Sequence, residues 1–170
     1  MEILSTGEKI KRSRIYKGIT LKELCGDKIS ISKMSCIENG KIKADEEALR
    51  YISKKLQVDY DYLVRDVYDQ IKHNVEEIKK STCSFEKLED IINYNLEYAC
   101  KCGFNDLALK LIHILFELYM NNDKLENMQL LISKYYDLYQ LTQCNEEIII
   151  YYNDMSTFFM KTAEYHEAIS

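Results

Sequence analysis

Apolar residues recur at spacings of three and four along nearly the whole chain, and the first 65 residues break that rhythm into five short helices. Ser5 and Glu8 have capping-box spacing and open a helix over 5–17 that Gly18 ends. Thr20 and Glu23 repeat the pattern and open a second, very short helix ending near Gly26. A third, over 31–39, is stopped by Gly40, and Asp45 caps a fourth whose Leu49, Ile52 and Leu56 share one face. A fifth, 60–66, follows Asp59. From Val67 the helices lengthen, over 67–80, 85–102, 105–121, 124–142, 145–161 and 164 to the end. Their starts from residue 85 are spaced by 20, 19, 21 and 19 residues, so two helices make a unit of about 40, the period of a helical-hairpin solenoid. Segment 105–121 is apolar on more than one side (Leu107, Leu111, Ile112, Ile114, Leu115, Leu118), as a helix between two neighbours requires. Asn105, Asp123 and Asn145 are the expected N-caps, and Asp123 with Glu126 has the spacing of a reciprocal cap.

The fold class that follows is all-α: a five-helix domain at 1–65, a connecting helix and linker at 66–84, and helical repeats at 85–170. Composition supports it. Among 170 residues there is no proline and only five glycines, whereas sheets and long loops spend both on turns. No apolar run approaches 18 residues, and 1–13 lacks the apolar stretch of a secretory signal, so the expected location is the cytoplasm, with no membrane partner. Six cysteines, at 25, 36, 83, 100, 102 and 144, have no framework spacing and read as free thiols. The net charge of −5 divides into +4 over 1–65 and −9 over 66–170, so only the N-terminal part suits a polyanion.

That part carries a pattern of its own. Ile10, Arg14 and Gly18, then Thr20-Leu21-Lys22-Glu23-Leu24, then Met34-Ser35-Cys36-Ile37-Glu38-Asn39-Gly40-Lys41, with Leu49, Ile52, Leu56 and Val58 after them, resemble the Cro/repressor (XRE-type) helix-turn-helix domain over 7–63. The resemblance implies a reader of double-stranded DNA whose third helix turns its N-terminal residues to base edges. By position, Ser32 and Lys33 stand at the exposed start of that helix, with Ser35 and Cys36 one turn on. Lys33 suits guanine O6 and N7, and the serines donate or accept. Thr20, Lys22, Asn39, Lys41 and Lys43 are placed for phosphates. Arg14 and Glu38 match the family's structural ion pair between the first and third helices. Two positions depart from the pattern: Leu21 stands where a glutamine is common, and the turn between Leu24 and Met34 is one residue shorter than in phage repressors.

Near the C-terminus, Met155, Ser156 and Phe159, followed by Tyr165 and Ala168, resemble a tetratricopeptide repeat, with Thr162 where a glycine is common. The chain stops about one and a half turns into the second helix of that repeat, so it reads as an N-terminal fragment with repeats missing. The whole layout is similar to the peptide-regulated transcription factors of Gram-positive bacteria, the Rap/Rgg/NprR/PlcR/PrgX group. Its stretches 4–11 and 33–40 are nearest to the clostridial members. That resemblance implies a homodimer on a DNA operator, switched by a short signalling peptide in the repeats, as in quorum sensing. Asn93, Asn95 and Asn153, on first-helix segments, are the candidates to clamp the peptide's backbone amides.

Other chemistry finds little support. Cys100, Cys102 and His113 match no zinc spacing, and His73 and His166 have no partner at a telling distance in sequence. Phosphate loops, nucleophile elbows and His-Glu motifs are missing, so neither catalysis nor a metal or cofactor is expected. Ten of the 14 tyrosines follow residue 66 and read first as packing between helices. Two alternatives stay open: a repeat-based adaptor for another protein, for which the acidic repeats favour a basic partner, and a DNA-binding regulator with no peptide ligand.

Overall fold

The computed structural model describes residues 2–141 and 145–169, with 145, 146 and 164–169 by backbone alone. The described residues are all-α, with no strand, and form two compact units that meet in sequence at Gln70 and Ile71. No described helix is long and apolar enough to cross a membrane.

The first unit, Glu2–Gln70, is a helix-turn-helix domain of α1 (Thr6–Tyr16), α2 (Leu21–Cys25), α3 (Ile31–Glu38), α4 (Glu46–Leu56) and α5 (Tyr60–Val64). Both capping boxes form: Ser5 with Glu8 at α1 and Thr20 with Glu23 at α2, each exchanging two hydrogen bonds between side chain and backbone. Asp45 accepts from the Ala48 amide and starts α4. Ile10, Leu24, Met34, Ile37, Ile52, Leu56 and Leu63 form the core, each at most 2 % exposed, and Leu21 packs against it. α1 crosses α3 closely at Gly7, where a Cβ would stand 2.3 Å from the Ile37 carbonyl oxygen. The carbonyls at the end of α5 take side-chain donors from α1: Thr6 Oγ1 reaches Leu63 O at 3.1 Å, and the buried Lys9 ammonium reaches Tyr62 O at 2.8 Å and Arg65 O. Gln70 accepts from the Leu4 amide and donates to the Leu4 and Asp66 carbonyls, closing the unit.

The second unit, from Ile71, continues α6 (Val67–Lys79) and adds α7 (Phe85–Cys102), α8 (Asn105–Asn121), α9 (Leu125–Gln140) and α10 (Asn145–Ile169) as successive tetratricopeptide-like hairpins. α8 packs against α7, α9 and α10. This is why it is apolar almost all round: Leu107, Ala108, Leu111, Ile112, Leu115 and Phe116 are each at most 2 % exposed. Gly103 ends α7 in the left-handed region, at φ 72°.

Four sequence expectations need correction here. Asn105 is the first residue of α8 and Phe104 its cap, with no side-chain capping bond. Asp123 does not cap α9: it lies at φ 53°, Lys124 is the cap, and the Asp123 carboxylate instead receives the Lys161 ammonium at 2.8 Å. The break expected between 161 and 164 does not occur, and α10 is one helix of 25 residues. Nothing at Lys161-Thr162-Ala163 interrupts a helix, and the Thr162 hydroxyl is absorbed by the Phe158 and Phe159 carbonyls of its own preceding turn. Asn145 likewise is the first residue of α10 rather than its cap, and the helix seating expected of the Tyr165 and Ala168 side chains lies outside what is described.

Candidate nucleic-acid interface

The face that α3 leaves outside is set by what it buries. Met34 and Ile37 point into the core at 0 % and 2 % exposure, so Ser32, Lys33 and Asn39 face solvent and Ser35 and Cys36 lie half-buried beside them. Ser30 caps the helix by accepting from the Lys33 amide at 3.1 Å. Gly40, at φ 69°, ends it. The Lys41 amide then returns to Cys36 O at 2.8 Å, and Lys41 and Lys43 follow exposed. Thr20 and Lys22 are exposed at the start of α2, which packs against α3. The Thr20 hydroxyl both caps α2 and donates to Glu23, holding that carboxyl below its usual range.

The orientation of α3 is fixed by a bidentate ion pair. Arg14 Nε and Nη2 donate to the two Glu38 oxygens at 2.7 and 2.9 Å, and Nη1 donates to Ile19 O at 3.1 Å. One guanidinium therefore ties α1, α3 and the turn leading into α2. The side chains are only 15 % and 5 % exposed, so the pair repays its desolvation chiefly by defining geometry.

Lys33 has a partner that spacing did not reveal: its ammonium donates to Asp45 Oδ2 at 2.9 Å while the other Asp45 oxygen caps α4. The hydrogen bond from Lys33 and that from the Ala48 amide hold the Asp45 carboxyl below its usual range. Both side chains are about half exposed and water screens the pair, so Lys33 is poised at α3 without being locked there. Asn39 is partly spent, its amide donating to Ser35 O at 2.8 Å.

The three candidate asparagines of the repeat unit are not brought together. Asn95 is fully buried; its side-chain oxygen accepts from Asn74 of α6 and its amide donates to Ile91 O, both at 2.8 Å, so it holds helices rather than facing a ligand. Asn93 is half-buried near the Tyr119 hydroxyl, and Asn153 is exposed on α10. A buried polar cluster lies instead at His113, Tyr135 and Asp154. Asp154 Oδ2 is 2.6 Å from His113 Nδ1 and accepts the Tyr135 hydroxyl at 2.7 Å. Glu117 lies 3.6 Å from His113 Nε2. Among the described residues no group of three metal-ligating side chains is placed to hold an ion.

No protein-family model and no curated protein matches the chain. Among solved structures it is similar to a crystal structure of Bacillus thuringiensis PlcR in complex with the peptide PapR7 and DNA. The identity is 17 % and the TM-score 0.38, over 96 % of this chain and 75 % of that one.

Proposed function

We propose that the chain is a sequence-specific DNA-binding transcriptional regulator, acting as a homodimer in the cytoplasm and controlled by a short signalling peptide bound in its repeat unit. It belongs, on this reading, with the XRE-type, peptide-regulated quorum-sensing regulators, nearest to clostridial RstA. It is not an enzyme. The observation that carries the reading is α3: a helix clamped by Arg14 and Glu38, presenting Ser32 and Lys33 at its open end with Thr20, Lys22, Lys41 and Lys43 around it. Lys33 and Ser32 would read base edges, with Ser35 and Cys36 beside them, while the flanking lysines, Thr20 and Asn39 take phosphates. One short helix reads few bases, so two half-sites are needed for useful selectivity, which is the argument for a dimer. Of the asparagines, Asn93 and Asn153 remain candidates for peptide contacts. Peptide binding would act by changing how the two heads match the half-site spacing.

The test is selection of binding sites from a random duplex pool by the parent and by Lys33→Ala. The parent should enrich a two-fold-related motif, and its affinity should fall steeply with salt. Lys33→Ala should lose about 1–3 kcal/mol on that motif and much less on random DNA. Equal losses on both would make Lys33 a phosphate contact, and no enrichment by a folded parent would reject the DNA reading.

A further inference from the structure

Between α6, α7, α8 and α10 the repeat unit opens a cleft of about 460 Å³, inside the range of small-ligand sites, roughly 300–1,000 Å³. Ile78, Leu88, Ile114, Leu118 and Ile150 line it with aliphatic surface. Lys79, Lys110 and His113 also line it, with Glu117 as the opposing charge. His113 is held through Nδ1 by the buried Asp154, leaving Nε2 toward Glu117, which at 3.6 Å is too far for a good hydrogen bond. Lys79 meets Glu76 only at 4.0 Å, and Lys110 forms no ion pair among the described residues. Three nitrogen-bearing side chains and one carboxylate thus line an apolar cleft in a part of the chain whose net charge is −9. A ligand complementary to both features carries an aliphatic group beside an anion, and the last residue of a peptide carries them on adjacent atoms.

We propose that this cleft binds the C-terminal residue of a short apolar peptide, its carboxylate at Lys79, Lys110 and His113 and its side chain on Ile78, Leu88 and Ile114. The proposal rests on the peptide-controlled reading above and assigns the peptide's end; Asn93 and Asn153 do not line this cleft. His113 strengthens the site as pH falls. Burial opposes its protonation, but the hydrogen bond and charge of Asp154, with Glu117, outweigh burial and the repulsion of Lys79 and raise its pKa. Tyr135, Lys110 and Glu147 complete the polar surroundings of the ring.

The test uses the full chain without DNA. A pool of N-acetylated tetrapeptides of Leu, Ile, Val and Phe, made both as free acids and as C-terminal amides, is passed over the immobilised protein, and retained peptides are titrated. Free acids should bind about tenfold tighter than the matching amides, the worth of a charge-assisted hydrogen bond. The Lys79→Met/Lys110→Met double variant should lose that preference with its helicity unchanged. Equal retention of acids and amides, a preference that survives the double variant, or no retention by folded protein would each overturn the proposal. So would decanoate competing as well as the peptides, since the site would then belong to a free aliphatic acid. Because DNA is absent, failure here leaves operator selection standing, and failure there leaves this result standing.

Discussion

Gly7 shows how little space one position can leave. In α1 a Cβ there would meet the Ile37 and Glu38 carbonyl oxygens at 2.3 and 2.9 Å, both backbone atoms that no rotamer change can move. Gly7→Ala should therefore destabilise the head by roughly 1–3 kcal/mol, against the alanine's gain in helix propensity of up to about 1 kcal/mol. Urea denaturation should show a lower midpoint with an unchanged slope; a midpoint equal to the parent's would mean that α1 and α3 can separate freely. Next to this contact, Arg14 and Glu38 fix the same pair of helices by charge. Steric and ionic constraints thus converge on the helix that carries Ser32 and Lys33.

At the scale of elements, His113, Tyr135 and Asp154 join α8, α9 and α10 through one carboxylate oxygen. Because the folded environment raises the His113 pKa, its contribution to stability is complete below the unfolded value, about 6.5, and is lost as pH rises through the folded value. Melting followed by circular dichroism should show the transition temperature falling across that window in the parent. His113→Gln should be flatter there, with Asp154 still holding Tyr135. A parent curve no steeper than the variant's would show that the imidazole is not charged in the fold. The elements themselves were readable where local chemistry sets them: both capping boxes, the Asp45 cap and the glycine stops are interactions within four residues. Legibility failed where a polar side chain had a distant alternative. Asp123 had cap spacing but found Lys161, 38 residues on, and Lys33 found Asp45. Asn95 was indistinguishable in sequence from an exposed asparagine until Asn74 covered it. The buried cluster did leave a trace: 113, 135 and 154 are 22 and 19 residues apart, close to the 20-residue helix spacing, so each lies at a similar height in its helix.

At the scale of the whole molecule, charge is sorted between the two units, and the cations that matter are few in each. In the head, Lys33 and its neighbours surround α3, whereas in the acidic remainder Lys79 and Lys110 flank a cleft. Lys9 is a lysine of a third kind, 1 % exposed beneath the Tyr62 ring and capping the carbonyls that end α5. Burial and the nearby Arg65 charge lower its pKa, and its ammonium is spent on the Tyr62 and Arg65 carbonyls. An amine-directed acylating label, read by mass spectrometry, should modify the surface lysines within minutes and leave Lys9 untouched until the head opens. Its acylation rate then becomes a clock for global unfolding of this unit, recorded at one nitrogen, and a rate matching that of Lys11 would mean that the end of α5 is not sealed.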